Sequence, residues 1–221
     1  MRSAIVVFPG SNRERDMGLA CERAFGRSPT FVWHRDTDLP DADFLAIPGG
    51  FSYGDYLRPG AIAARAPIMP AIRAFAASGR PVLGVCNGFQ ILIEAGLLEG
   101  ALLRNAALKF VCRTAVLECA TASSPFTRNM AEGARIAVPV AHHDGGYFVT
   151  ERQLKALQDE DRIAFRYVAG DNPNGSTADI AGVLSAGRNV LGLMPHPENA
   201  TDPICGGEDG LTLFRSLLEA A

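Results

Sequence analysis

The sequence has 221 residues, a formal net charge of −3 and 48% hydrophobic residues. This length suits one large domain, and the composition is that of a globular protein with a sizeable core. The slight negative charge and the lack of a Lys or Arg run argue against nucleic acid as a main partner. No stretch reaches the length of a membrane span, so we also expect no membrane partner.

The five cysteines are odd in number and show no CxxC spacing. That usage favours free thiols in a reducing compartment over a disulfide framework or a zinc site. The apolar run at residues 1–8 is too short for a signal peptide, because Pro9 and Gly10 break it. We therefore expect a cytoplasmic protein.

Strand and helix patterns alternate in the first half of the chain. Apolar runs predict strands at residues 4–8, 30–33, 44–47 and 81–85, and helical patterns lie at residues 11–25, 67–78 and 88–95. Ser11 or Asn12 can cap the first helix, and Gly26 can end it. The alternation predicts an α/β fold with a mostly parallel sheet and helices on both faces, flavodoxin-like, in one domain of residues 1–221.

The second half is richer in strands and has more irregular connections. Its patterns predict a helix at residues 151–159, a strand at 163–167, a hairpin of 180–184 with 190–194, and a closing helix at 210–219. In parallel sheets ligands bind outside the carboxyl ends of the strands. The loops that follow strands are therefore the place to expect a functional site.

One cysteine stands in a pattern typical of an enzyme nucleophile. Residues 84–88 (Gly-Val-Cys-Asn-Gly) follow an apolar strand and open a predicted helix, which is the G-x-nucleophile-x-G elbow with Cys in place of Ser. The glycines permit the sharp turn, and a helix N-terminus favours a thiolate. An isolated cysteine at a strand end is usually a core residue, but this context makes Cys86 a candidate nucleophile.

A cysteine nucleophile needs a base, and the base needs an orienting group. Residues 194–198 (Met-Pro-His-Pro-Glu) follow another apolar run. The two prolines favour an extended chain, on which side chains two residues apart point the same way. We predict that Glu198 orients His196 and that His196 serves Cys86. His142 and His143 are rival bases, but neither has a carboxylate held so rigidly beside it.

A glycine-rich loop follows the strand predicted at residues 44–47. Residues 48–55 read Pro-Gly-Gly-Phe-Ser-Tyr-Gly-Asp. Glycines let backbone N–H groups approach a substrate oxygen closely, as an oxyanion hole requires. A plain flexible loop remains the alternative interpretation of this segment.

In this order, the three elements resemble those of the class I, or triad, glutamine amidotransferases. The elbow running on to Phe89 and Gln90, together with the later His-Pro-Glu, is that family's defining pair. The resemblance is closer still to one branch, the separate glutaminase subunits of the ligase that converts formylglycinamide ribonucleotide to its amidine in purine synthesis. Residues 48–58, 172–176 and 194–198 look like that branch's signatures. The match spans nearly the whole chain, and the length fits a separate small subunit.

This resemblance implies a role for each catalytic position. Cys86 would attack the side-chain amide of glutamine, and His196 would be the general base and acid. Glu198 would orient His196. The backbone N–H groups of Gly50 and Asn87 would form the oxyanion hole.

It also implies the substrate contacts and the partners. Phe51, Gln90 and Asn105 would hold the α-amino and carboxylate ends of glutamine. Ammonia would pass to a large synthase subunit that uses ATP and magnesium, and a small bridging subunit would complete the complex. This chain itself would need no metal or organic cofactor.

Two segments depart from the family pattern. Residues 141–147 look like a variant of a segment that usually reads Ala-His-Gly-Glu-Gly, and Asn199 stands where Arg is expected. Both changes could alter contacts with the synthase subunit. Neither touches the three catalytic positions.

Two other interpretations stay open. The chain could be the glutaminase subunit of another synthase or a related Cys-His hydrolase, although residues 51–58 and 172–176 argue against both. It could also be a non-catalytic binding subunit that keeps the fold. The joint presence of Cys86, His196 and Glu198 argues against that.

Overall fold

The computed structural model describes residues 1–204 and 206–220. The strands of this part of the chain are β1 (Ser3–Val7), β2 (Thr30–Trp33), β3 (Phe44–Ile47), β4 (Val82–Val85), β5 (Ala101–Leu103), β6 (Val111–Cys119), β7 (Arg135–His142), β8 (Gly146–Phe148), β9 (Ile163–Tyr167), β10 (Ile180–Leu184) and β11 (Val190–Leu193). The α-helices are α1 (Glu14–Phe25), α2 (Met69–Ala77), α3 (Asn87–Glu94), α4 (Glu151–Asp159) and α5 (Leu211–Ser216).

A nine-stranded sheet forms the centre of the described chain. Its order is β2-β1-β3-β4-β11-β10-β9-β6-β7. The first five strands in that order pair in parallel, and the pairs from β11 to β7 are antiparallel. β5 and β8 form a separate antiparallel pair. The predicted α/β sheet is confirmed, and the strand-rich second half supplies its antiparallel extension.

The strand order reverses at β1, which places helices on both faces. The chain passes from β1 through α1 to β2 on one side, and later from β3 through α2 to β4 on the other. Because parallel crossovers are right-handed, α1 and α2 cover opposite faces. α3 packs over β3, β4 and β11, and α1 packs against α5. The strand ends beside such a reversal are where ligands bind in open α/β sheets.

Burial explains why the central strands read as continuous apolar runs. β3, β4 and β11 are buried along their whole lengths, because helices cover both faces of the sheet there. The hairpin of β10 and β11 pairs as predicted. No helix within the described ranges is long and apolar enough to cross a membrane.

The ends of two helices differ from the prediction. Helix α1 ends at Gly26 in the left-handed conformation, as predicted, but Arg13 precedes its first residue and no side chain caps it. Ser11 does not cap the helix: its hydroxyl accepts a hydrogen bond from the Phe8 N–H at 3.0 Å and closes the turn after β1. Helix α2 begins at Met69, not at Pro67, because a separate 3₁₀ turn at Ala63–Arg65 precedes it.

Candidate active site

Cys86 sits at a strained turn between β4 and α3. Its φ is +51°, a left-handed conformation that is unusual for a residue with a side chain. The turn depends on the glycine that follows, since a Cβ added at Gly88 would lie 2.0 Å from the carbonyl oxygen of Ile47. Close packing of α3 against β3 therefore requires glycine there. The predicted elbow is present.

His196 lies close to the nucleophile because β11 runs beside β4. Leu193 is in register with Val85, the residue before Cys86. His196 and Glu198 are both 3% exposed, and Nδ1 of His196 lies 2.7 Å from Oε1 of Glu198. The carboxylate two residues beyond the histidine thus contacts the imidazole, in the pairing that the sequence predicts. The chain between them is not extended as expected, because Pro197–Asn199 form a 3₁₀ turn that begins directly after His196.

The surroundings of His196 favour its protonated form. Burial by itself lowers the pKa of this imidazole, but the negative charges of Glu198 and Cys86 outweigh burial and raise the pKa to about 10. An imidazolium beside a cysteine stabilises the thiolate, which is the reactive form of the nucleophile.

Cys86 and His196 are neighbours in the site. Sγ of Cys86 lies 3.8 Å from the carbonyl oxygen of Ala141, and Nε2 of His196 is buried without a hydrogen-bond partner. Both side chains border Gly49, where an added Cβ would lie 2.8 Å from Cε1 of His196 and 3.5 Å from Cβ of Cys86. Glycine at this position leaves room for the base and the nucleophile to approach each other.

The two rival bases, His142 and His143, contact other side chains. His142 is buried, its Nδ1 lies 3.0 Å from Oδ1 of Asn105, and its Nε2 lies 3.4 Å from the amide of Asn174. Burial, and then the charge of His196, lower its pKa to about 4, so His142 is neutral. His143 lies 3.2 Å from the carboxylate of Asp144. Neither has the buried carboxylate that His196 has.

The glycine-rich loop is fastened to the loop after β1. The Phe51 N–H donates to the Gly10 carbonyl at 2.9 Å, and the Asn12 N–H donates to the Gly49 carbonyl at 3.3 Å. These bonds flank Gly50 and fix its peptide beside the cavity that Cys86 lines. Asn87 is the first residue of α3, where a backbone N–H has no partner within the helix. Both predicted oxyanion donors therefore lie on segments next to the nucleophile.

The cavity at Cys86 is small. Its volume is about 10 Å³, room for about one water molecule. Its lining comprises Gly50, Phe51, Asp55, Cys86, Gln90, Ala141, His142, His143 and Asp144. A larger, apolar groove of about 580 Å³ lies between α1 and β2, lined by none of these residues. The reactive side chains in its lining, and not the volume of the cavity, identify this site.

A series of hydrogen bonds connects three segments around the cavity. The Ser52 N–H donates to Oδ1 of Asn87 at 3.0 Å, and Nδ2 of Asn87 donates to Oε1 of Gln90 at 2.8 Å. Nε2 of Gln90 donates to the carbonyl of Asp144 at 2.7 Å. This series of hydrogen bonds joins the glycine-rich loop, helix α3 and the segment after β7. A substrate can enter only if one of these segments moves.

Comparison with known proteins identifies this arrangement. Residues 1–206 match the model of the CobB/CobQ-like glutamine amidotransferase domain. The chain belongs to this family of glutamine amidotransferases. Relatives named phosphoribosylformylglycinamidine synthase subunit PurQ include one from Rhizobium meliloti, 58% identical over 99% of this chain and 98% of its own length. Another, from Rhodospirillum rubrum, is 56% identical over 100% of this chain and 99% of its own.

One solved structure supports the same family, and a more distant one shows the fold. A chain in the structure of PurLQS from Thermotoga maritima superposes with a TM-score of 0.90 and is 45% identical, over 99% of this amidotransferase and 98% of that chain. The glutaminase domain of the Trypanosoma brucei CTPS superposes with a TM-score of 0.62 at 14% identity, over 99% of this chain and 94% of that one, and so shares the fold.

Of the three residues predicted to bind glutamine, two line the cavity and one does not. Phe51 and Gln90 line the cavity of the amidotransferase. Phe51 is half-exposed at its rim, and Gln90 belongs to the series of hydrogen bonds around it. Asn105 is fully buried and outside the lining. Its Nδ2 donates to the carbonyls of Lys109 and His142, both at 2.9 Å. The structure therefore does not bring Asn105 to the cavity, and its side chain instead supports the segment that begins at His142.

Residues 172–176, one of the signature segments, brace that same part of the amidotransferase. Nδ2 of Asn174 donates to the Tyr167 hydroxyl at 3.1 Å, and the Tyr147 N–H donates to Oγ of Ser176 at 3.0 Å. The departure at Asn199 falls in the turn after the base, where its N–H donates to the His196 carbonyl at 3.2 Å. Any residue but proline can make that backbone bond.

Two carboxylates in the cavity were not singled out from the sequence of the amidotransferase. Asp55 and Asp144 both line it. Each lies in a segment that the sequence marks, residues 48–58 and 141–147, but spacing gives no sign that these segments face each other. Among the described residues, no group of three His, Cys, Asp or Glu could hold a metal ion.

Proposed function

We propose that this chain is the glutaminase subunit of phosphoribosylformylglycinamidine synthase and hydrolyses glutamine to glutamate and ammonia. Likeness to subunits of that name over 98–99% of their length supports the identity. The observation that carries the chemistry is the position of Cys86 beside the buried pair of His196 and Glu198, at the ends of two adjacent parallel strands.

The first half of the reaction forms a thioester. The Cys86 thiolate attacks the side-chain amide carbon of glutamine, and the N–H groups of Gly50 and Asn87 stabilise the oxyanion. The imidazolium of His196 then donates its proton to the amide nitrogen as the C–N bond breaks. Ammonia leaves, and the γ-glutamyl group stays on sulfur.

The second half releases glutamate. Neutral His196 takes a proton from water as the water oxygen attacks the thioester carbon. The tetrahedral intermediate collapses with the C–S bond breaking, so the thiolate and the imidazolium are restored. Glu198 stabilises the imidazolium in both halves through its contact with Nδ1. The residues of this chain suffice for these steps.

The products require a partner. Ammonia passes to a large synthase subunit, which uses ATP and magnesium to convert formylglycinamide ribonucleotide to the amidine, and a small bridging subunit completes the complex. The similarity to a chain of the Thermotoga maritima assembly named PurLQS supports this partnership. We propose further that residues 1–221 act as one domain, since one sheet joins both halves of the described chain. We also propose that the protein acts in the cytoplasm.

The rim of the cavity is the part of the surface that we propose to contact the synthase. Tyr56 and Leu57 are 76% and 84% exposed, directly beyond the cavity residue Asp55. Arg58 donates to both carboxylate oxygens of Glu94 at 2.6 Å, which anchors this rim to α3. Residues 142–144 also line the cavity, and we propose the segment at residues 142–147 as the second contact. A partner seated on both segments would cover the exit through which ammonia leaves.

Reconstitution tests the function. The chain mixed with the large and small subunits of phosphoribosylformylglycinamidine synthase should make the amidine from glutamine, ATP and formylglycinamide ribonucleotide. Without this chain the same mixture should use ammonia but not glutamine. Equal stimulation of an unrelated ammonia-dependent synthase, or glutamine use that is independent of this chain, would overturn the proposal.

A further inference from the structure

Asp55 is a half-buried carboxylate without a cation. Within the described residues it forms no ion pair, and its one side-chain contact is a long one, with Nδ2 of Asn87 at 3.5 Å. Burial, and then the charge of Asp144, raise its pKa to about 6. A carboxylate placed so costs free energy unless a positive charge joins it. The carboxylate of Asp55 therefore favours a ligand that brings a positive charge into the cavity beside the nucleophile.

The other acceptors at the cavity are already occupied. Oε1 of Gln90 accepts from Asn87, and the carbonyl of Asp144 accepts from Gln90. The carboxylate of Asp144 has His143 at 3.2 Å and Arg104 at 3.7 Å. Asp55 is thus the lining carboxylate whose charge no neighbouring cation offsets.

A second polar group beside the nucleophile also lacks a partner. Nε2 of His196 is buried and makes no hydrogen bond, next to the nucleophile. A ligand that satisfied both places would present a polar leaving group to His196 and a positive charge to Asp55. Glutamine has these two groups at opposite ends, its side-chain amide and its α-ammonium.

We propose that the carboxylate of Asp55 binds the α-ammonium group of glutamine and so selects free glutamine over amides that lack this group. The inference rests on the proposed glutaminase function. A hydrogen bond between an ammonium and a carboxylate is among the stronger polar contacts in proteins. A site that holds such a group rejects an analogue without it, because the half-buried carboxylate is then left unpaired.

The test compares glutamine with glutaramate, which keeps the side-chain amide and carboxylate but has hydrogen in place of the α-ammonium. Ammonia release is measured in the assembled synthase complex for the wild type and Asp55→Asn. The wild type should prefer glutamine. The substitution should lower kcat/KM for glutamine about 10- to 100-fold, mainly through KM, and leave kcat/KM for glutaramate within about threefold. The preference should therefore collapse.

Three controls separate this role from others. Asp159→Asn, on the exposed face of α4, removes the same charge and should change neither substrate. Ammonia-dependent synthesis by the Asp55→Asn complex should stay at the wild-type rate and so verify assembly. Asp55→Glu keeps the charge and should restore part of the preference for glutamine.

The outcomes are distinct. An equal loss for both substrates would show that Asp55 only holds the loop in place, and an unchanged preference would show that it does not bind the ammonium. Either result overturns the inference and leaves the glutaminase function standing. A wild-type complex that does not hydrolyse glutamine would overturn the proposed function itself.

Discussion

The backbone N–H of Cys86 donates to the carbonyl of Leu193 at 2.8 Å. This bond joins the residue after β4 to the last residue of β11, three positions before His196. Cys86 and His196 therefore share one strand ladder, although 110 positions separate them in the chain. The placement of these two side chains depends on strand pairing.

Removing the nucleophile should separate the two activities of the complex. Cys86→Ala should lower glutamine hydrolysis by at least about a thousandfold, since no other group can form the thioester. Ammonia-dependent synthesis should survive, because that chemistry lies in the partner. Glu198→Gln should be milder than His196→Ala, since it removes orientation and charge but keeps the base. Substantial glutaminase activity in Cys86→Ala would show that the nucleophile is misassigned.

The pH profile should report the raised pKa of His196. The imidazolium needed for ammonia departure should persist through neutral pH and be lost as the pH approaches about 10. Glu198→Gln removes a charge that raises this pKa, so the alkaline limb of kcat should move down by about 1–3 pH units. A wild-type alkaline limb near pH 7 would contradict the assignment.

The same pKa shift predicts how stability depends on pH. Folding raises the pKa of His196 from its ordinary value of 6.5, so its contribution to stability is fully present below about pH 6.5. That contribution is lost as the pH rises through about 10. Chemical denaturation of the wild type and of His196→Ala should therefore give a difference in unfolding free energy that shrinks at alkaline pH. A difference that grew with pH would contradict the shift.

An electrophilic glutamine analogue should label Cys86 selectively. Burial raises the pKa of Cys21 to about 12 and that of Cys119 to about 11, so both stay protonated and inert. Cys112 is exposed and should react with general alkylating reagents but not with the analogue. Cys205 lies outside the described residues. Peptide mapping should place the label on Cys86, and excess glutamine should protect it; a label mainly on another cysteine would count against the elbow.

The isolated chain should be a poor glutaminase that its partner activates. A cavity of about 10 Å³ cannot admit glutamine, and Tyr53, Asp55 and Leu57 beside it all have left-handed backbones that a rearranged loop could relax. Partner binding that favours an open, aligned loop should raise ammonia release. Because one misplaced oxyanion donor costs about a hundred- to a thousandfold, activation of that order is expected. Full activity of the chain alone would refute gating but spare the catalytic residues.

A methyl group at Gly49 should impair catalysis more than folding. The added Cβ of Gly49→Ala would lie 2.8 Å from the ring of His196 and would push the base away from Cys86. We expect kcat to fall by about a hundredfold or more, because misplacement of about 1 Å has that effect. Gly133→Ala is the contrast: nothing lies within 4 Å of its Cβ, but its φ of +79° disfavours alanine. It should lose about 1–2 kcal/mol of stability and no kcat.

Much of this site could be predicted from local sequence because its parts obey local rules. Cys86 stands between glycines at a strand end, and Glu198 follows His196 by two positions. A 3₁₀ turn at Pro197–Asn199, and not the expected extended chain, brings these two side chains together. The structure does not bring Asn105 to the cavity lining, so its role in glutamine binding stays a prediction. The side chain of Asn105 donates hydrogen bonds to backbone carbonyls, and no sequence motif indicates those contacts. The cap predicted at Ser11 failed for a similar reason, since a local turn after β1 competes for its hydroxyl.

The sequence by itself determined the alternating α/β pattern, the elbow and the His-Pro-Glu pair, because buried strands and tight turns restrict which residues can occupy them. Only the tertiary structure decided which strand ends meet. The parallel pairing of β4 with β11 brings His196 to Cys86, and the packing of two distant segments places Asp55 and Asp144 in the lining of one cavity. Contacts between segments depend on sheet order and loop packing, which involve the whole chain at once and leave no periodic trace in either segment.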